Sequence, residues 1–211
     1  QCYADWHLYI DCGQSLVDAA AGGIQARATD PRITWFASSE TGGFPGNDAM
    51  ARACGDWLLL LDCGDCLTAD ALVHVAGAIH EHPDAAILYS DEDKLGASGQ
   101  RHEPHFKPEW NPDLLLGHNY VGRLVAIRTS LVQEVGGFRA GFAGAADYDL
   151  LLRATGRVSP DRIVHVPRVL YHRDASHSGT AAEDPAAGRR AVADYLRDHP
   201  DFVLGQDALL A

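Results

Sequence analysis

The run Trp57-Leu58-Leu59-Leu60-Leu61, which stops abruptly at Asp62, limits the possible folds more than any other stretch of the chain. Every position is apolar, so both faces of the strand it predicts need cover, and a central parallel strand with helices on each side provides it. Its surroundings agree. A helix is predicted from Asn47 to Cys54, after the turn Gly42-Gly43-Phe44-Pro45-Gly46, and another from the Leu67-Thr68-Ala69-Asp70 cap to about His82. Strands are predicted at His7–Ile10, Arg32–Phe36, Ala86–Tyr89, Val125–Arg128 and Ile163–Tyr171, and helices at Ser15–Gln25, Ser130–Val135, Tyr148–Ala154 and about Pro185–Arg197. Between them, residues 96–112 read as a long loop rich in Gly, Pro, His and charge. This alternation predicts an α/β fold with a mostly parallel central sheet flanked by helices.

Composition narrows the class. With 211 residues, 46% of them apolar and 22% charged, the chain has the make-up of a globular domain with a sizeable core. A formal charge of −12 with only 17 Lys and Arg argues against a nucleic-acid partner, because phosphate backbones demand clustered cations. No apolar run approaches the length of a membrane span, and the N-terminus lacks the basic and apolar regions of a signal peptide. A cytoplasmic protein is therefore expected, reaching the inner face of a membrane only through a bound molecule or other domains. The five cysteines are an odd number, which predicts reduced thiols, and a first residue other than Met suggests a piece of a longer protein.

In open α/β sheets ligands gather at the carboxyl ends of the strands. Three acidic groups fall at such ends: Asp11, Asp62 with Asp65, and Asp91-Glu92-Asp93. Carboxylates so placed suit a hard divalent cation and the diphosphate it neutralises. Taken alone, an Asp after a strand is more often a turn former or helix cap.

Several ordered stretches change that balance. Gln1-Cys2-Tyr3 with Leu8-Tyr9-Ile10-Asp11, Gly42-Gly43 with Asn47 and Gly55-Asp56-Trp57, and Leu61-Asp62-Cys63-Gly64-Asp65-Cys66-Leu67 are followed by Tyr89-Ser90-Asp91-Glu92-Asp93-Lys94 with Phe106-Lys107-Pro108-Glu109-Trp110-Asn111-Pro112-Asp113 and Asn119-Tyr120. Gly136-Gly137-Phe138-Arg139, Asp147-Tyr148-Asp149-Leu150-Leu151-Leu152-Arg153 and His165-Val166-Pro167-Arg168-Val169-Leu170-Tyr171-His172-Arg173 complete the series. In this order the chain resembles the family 2 glycosyltransferases of GT-A fold, in the bacterial branch that builds surface polysaccharides.

The resemblance implies an inverting hexosyl transfer from a nucleotide-sugar donor to a saccharide or lipid-linked acceptor. It assigns the general base to Asp147, donor contacts to Asp11, Asn47, Asp62 and Arg173, and sugar or acceptor contacts to Asp91, Asp93, Lys107 and Trp110. It places Mn²⁺ or Mg²⁺ on Asp62, Asp65 and His172. It also implies a nucleotide-binding half of about residues 1–95, an acceptor and catalytic half of about 96–182, a helical tail of about 183–211, and a missing strand and helix before Gln1. Each assignment has a plainer counterpart: Asp147 as a helix cap, His172 as a polar strand end, Asp91 and Asp93 in a solvated turn, and Lys107 and Trp110 in a packed loop.

Two positions depart from the family pattern. Cys12 follows Asp11 where two adjacent Asp residues are usual, and Gly64 replaces the middle carboxylate of the Asp-x-Asp motif. Two other classes therefore compete: a GT-A-like binding module with impaired catalysis, and a thiol redox or zinc protein built on Cys63-Gly64-Asp65-Cys66.

Overall fold

The computed structural model describes residues 1–12, 30–37, 46–175 and 184–200. The helix expected at Ser15–Gln25 and most of the turn at 42–46 lie outside these residues.

Strands β1 (Leu8–Cys12) and β2 (Ile33–Ala37) pair in parallel as a small sheet of their own. Helix α1 (Asn47–Arg52) leads into β3 (Trp57–Leu59), then β4 (Cys66–Leu67) and helix α2 (Ala71–Glu81). Next come β5 (Ile87–Leu95), β6 (Arg101–His105), helix α3 (Pro112–Gly117), β7 (Val125–Arg128) and helix α4 (Thr129–Val135). Helix α5 (Ala146–Thr155), β8 (Ile163–Asp174) and helix α6 (Pro185–Asp198) complete the described elements. The main sheet has six strands in the order β3-β7-β5-β8-β4, with β6 also on β5.

The α/β class holds, but strand direction differs from the expected mostly parallel sheet. In the main sheet only β5 and β8 pair in parallel, and the β3–β7, β5–β7, β5–β6 and β4–β8 pairs are antiparallel. The cause is a chain reversal. After β5, the chain turns at Gly99 (φ 78) and runs back as β6 beside residues 92–95, then as β7 beside residues 87–89 of the same edge. The segment expected as a loop thus contributes a strand.

The apolar run from Trp57 is also more peripheral than its composition predicts. It forms a short strand at one end of the strand order, and Leu61 is 40% exposed. Its two-faced burial is nonetheless real, since Leu58 and Leu60 pack on one core cluster while Trp57 and Leu59 pack on the other. One cluster lies under α4, α5 and α6, and the second under α2. β5 is the true centre, buried continuously from Ile87 to Asp93.

A bulge then sets the site. The β5–β8 register shifts between Ser90 and Glu92, opposite Pro167, which has no N–H to give the ladder. Beyond it, Glu92 faces Tyr171 and Asp93 faces His172.

Candidate functional site

Glu92 and Lys107 form the foundation. Both are buried, with Nζ 3.1 Å from Oε2, and the lysine side chain is fully covered. Burial pushes the Lys107 ammonium below its ordinary pKa, while the charge of Glu92 opposes that shift. The pair grips the backbone of a third residue: Arg123 N donates to Glu92 Oε2 at 2.6 Å, and Lys107 Nζ donates to Arg123 O at 2.9 Å. Gly122 makes this approach possible, because a Cβ there would stand 2.7 Å from Glu92 Oε2 at a φ of +58.

Held in this way, the Arg123 guanidinium spans two carboxylates. Nη2 is 2.5 Å from Asp62 Oδ2 and Nη1 is 2.5 Å from Asp147 Oδ2. Burial works against the arginine's charge, yet Asp147 and Asp62 outweigh it and hold its pKa above the ordinary value. Burial raises the Asp62 carboxyl, Arg123 opposes that shift, and Asp65 and Asp147 add to it. Asp147 lies inside the first turn of α5. It is not the cap, since Ala145 occupies that position. Its Oδ1 has no partner among the described residues. A small, mostly apolar pocket lined by Leu60, Asn119, Gly122, Arg123, Asp147 and Leu151 adjoins the Arg123–Asp147 pair.

Other expected site residues are engaged differently. Asp65 accepts from the Tyr171 hydroxyl at 2.7 Å and from Asp174 N at 2.8 Å, and Tyr171 Oη in turn accepts from Asp62 N at 3.2 Å. Burial pushes the Tyr171 phenol upward, so it remains protonated for both roles. His172 Nδ1 donates to Asp93 Oδ1 at 2.5 Å, a contact that orients the ring. Arg173 stands 3.8 Å from Glu92, half-exposed beside the cluster.

Asp91 and Asp93 are buried strand residues rather than a solvated turn: Asp91 accepts from His165 Nε2 at 2.8 Å and from Lys107 N at 2.9 Å, and Asp93 pairs with Arg101 at 2.6 Å. Lys107 points inward, its ammonium on Glu92 and the Arg123 carbonyl. Trp110 packs with Leu115, Leu152 and Tyr195 in an apolar wall. Asn47 donates to Phe138 O at 2.9 Å and accepts from Phe138 N at 2.8 Å, tying α1 to the loop after α4. Asp11 accepts from Gly46 N at 2.9 Å.

These residues do not fit the expected Mn²⁺ or Mg²⁺ site. Asp62 is held by Arg123 and Asp65 by Tyr171 and Asp174 N, while His172 uses only Nδ1 on Asp93. Among the described residues, no group of three or more His, Cys, Asp or Glu side chains is arranged to hold a metal ion. The thiol alternative fares no better. Cys63 and Cys66 are free and exposed, and Cys66 lies in β4, ahead of a helix that begins only at Ala71, whereas a redox CxxC uses the helix N-terminus to stabilise its thiolate.

The structure is similar throughout its length to that of TarS 1-349 from S. aureus, with a TM-score of 0.62 at 17% identity, covering 100% of this chain and 67% of that one. This is a GT-A glycosyltransferase fold. A mannosyltransferase from Pyrobaculum calidifontis, solved with GDP-Man and Mn²⁺, is also similar, with a TM-score of 0.54 at 16% identity over 97% of this chain and 69% of that one. In sequence, the GT-A domain is 42% identical over 208 residues to the uncharacterized protein y4gI of Sinorhizobium fredii, which covers 93% of the domain. It is 38% identical over 205 residues to the O-antigen biosynthesis protein RfbC of Myxococcus xanthus, again covering 93% of the domain. An uncharacterized glycosyltransferase of Haemophilus influenzae is 24% identical over 150 residues, 69% of the domain and 51% of that protein. The domain spans only 23% of the length of y4gI and 16% of that of RfbC. No protein-family profile matches it. Among the described residues, no helix of the domain is long and apolar enough to cross a membrane.

Proposed function

We propose that the chain is a family 2-type, inverting hexosyltransferase domain that moves a sugar from a nucleotide-sugar donor to a saccharide or lipid-linked acceptor in cell-surface polysaccharide biosynthesis. The observation that carries this reading is the convergence of Asp62, at the end of the β3 segment, with Asp147, in the first turn of α5, on the two arms of the Arg123 guanidinium. In the reaction, Oδ1 of Asp147 accepts the proton of an acceptor hydroxyl. The hydroxyl oxygen attacks the anomeric carbon, and the bond to the leaving nucleoside diphosphate breaks from the opposite face. Arg123 and Arg173 supply positive charge on the donor side. Similarity to a mannosyltransferase that binds GDP-Man and to an O-antigen biosynthesis protein supports the donor class and the biological setting.

Calorimetry with UDP and GDP, combined with a transfer assay over nucleotide sugars, tests the reading. Binding of one nucleoside diphosphate is expected. Asp147→Asn should lower transfer by about 10²–10⁴-fold while leaving the melting transition in place. Binding of neither nucleotide would remove the donor assignment, and full activity in Asp147→Asn would remove the base.

The competing reading, a GT-A-like binding module, draws on the closure of Asp62 and Asp147 by Arg123. Nucleotide binding without transfer to any acceptor would favour it.

A further inference from the structure

We propose that Arg123 holds the cation position of this site, its guanidinium joining Asp62 and Asp147 in the place where a carboxylate-rich donor site would hold a divalent ion. The inference rests on the proposed donor cleft. Four observations carry it.

First, Asp62 and Asp147 come from separate elements, and Arg123 forms the one ion pair each makes among the described residues. Without Arg123, two carboxylates sharing the cleft would repel each other. Second, a guanidinium is a planar fork that can meet two anions at fixed geometry, which a point charge such as an ammonium cannot do. Third, the arginine is built in rather than draped across the surface: the buried Glu92 and Lys107 hold its backbone N–H and C=O. Fourth, both neighbours hold the left-handed backbone that presents it. Gly122 has a φ of 58, and Leu124, a branched residue, is buried with a φ of 50.

A divalent ion seeking Asp62 must therefore displace a resident cation, and Asp65, a further expected ligand, already accepts from Tyr171 and Asp174 N. Arg123 is thus a positioning residue for the base and for the donor-side carboxylate.

The test titrates Mn²⁺ alone into the chain, followed by electron paramagnetic resonance and calorimetry, for wild type, Asp62→Asn, Arg123→Met and Arg123→Met/Asp62→Asn. Wild type and Asp62→Asn should bind Mn²⁺ equally weakly. Arg123→Met should gain about tenfold or more in affinity, a gain lost again in the double variant. A purely structural arginine would give no such gain. Asp62-dependent Mn²⁺ binding in wild type, or no gain in Arg123→Met, overturns the proposal. Should Arg123→Met fail to fold by circular dichroism, Arg123→Lys decides: its single ammonium cannot bridge both carboxylates, so a smaller gain is expected and none overturns the idea. UDP and GDP titrated into the same proteins test the donor reading separately, so failure of one is distinguishable from failure of the other.

Discussion

At the scale of single residues, this site depends on one buried ion pair that no substrate needs to touch. Glu92 and Lys107 lie beneath Arg123 and set its backbone, so damage to them reaches the cleft indirectly. Glu92→Gln leaves the covered Lys107 ammonium without its counter-charge, and breaking a buried pair in this way costs about 3–5 kcal/mol. Denaturant melts at neutral pH should show that loss. Its pH dependence has a defined sign. Because burial lowers the Lys107 pKa, the folded protein binds fewer protons than the unfolded chain between the lowered value and the ordinary lysine value, so stability rises with pH through that window. Losing Glu92 lowers the value further, and the deficit of Glu92→Gln should shrink as the solution becomes alkaline enough to discharge the lysine. A deficit independent of pH would show that Glu92 acts through the Arg123 N–H alone.

At the scale of elements, much of the resembling sequence joins one element to another. Asp149, 1% exposed on α5, receives Arg139 and Arg153, and Arg153 also donates to Val135 O at 2.5 Å and to Gly137 O at 2.7 Å. Arg139 reaches Asp194 on α6 as well, so a single buried carboxylate fastens α5 to the loop after α4 and, through that arginine, to α6. Asn47 performs the same service for α1, and Gly137 is needed there because a Cβ would lie 2.6 Å from Asn47 Oδ1 at a φ of +65. Asn47→Ala should therefore cost about 1–3 kcal/mol by removing both hydrogen bonds to the Phe138 backbone. Nucleotide affinity of the folded fraction should hardly change. A large loss of affinity without a loss of stability would return Asn47 to the donor site.

At the scale of the whole molecule, the described cysteines Cys2, Cys54, Cys63 and Cys66 are exposed and free, and none supports the core. Alkylation of the native protein should modify all of them and leave nucleotide binding intact. Loss of binding on alkylation would bring the Cys63-Cys66 turn back into the functional surface. The sequence by itself determined the α/β class, the positions of most elements, the two-faced burial of Trp57–Leu60 and the candidacy of Asp62 and Asp147, because hydrophobic period, turn residues and ordered motifs are local properties of the chain. Its one clear cue to Arg123 was an isolated charge between Gly122 and the apolar Leu124-Val125, which is too little to assign a role. Strand direction, the peripheral place of β3, the inward turn of Lys107 and the pairing of His172 with Asp93 were decided only by tertiary structure. Each depends on partners far apart in the chain, as when the bulge at Pro167 sets which β8 residue faces Asp93, or when Arg123 meets Asp62 and Asp147 across three separate elements. Periodicity shows which face of a segment is buried, but not which distant charge will be waiting there.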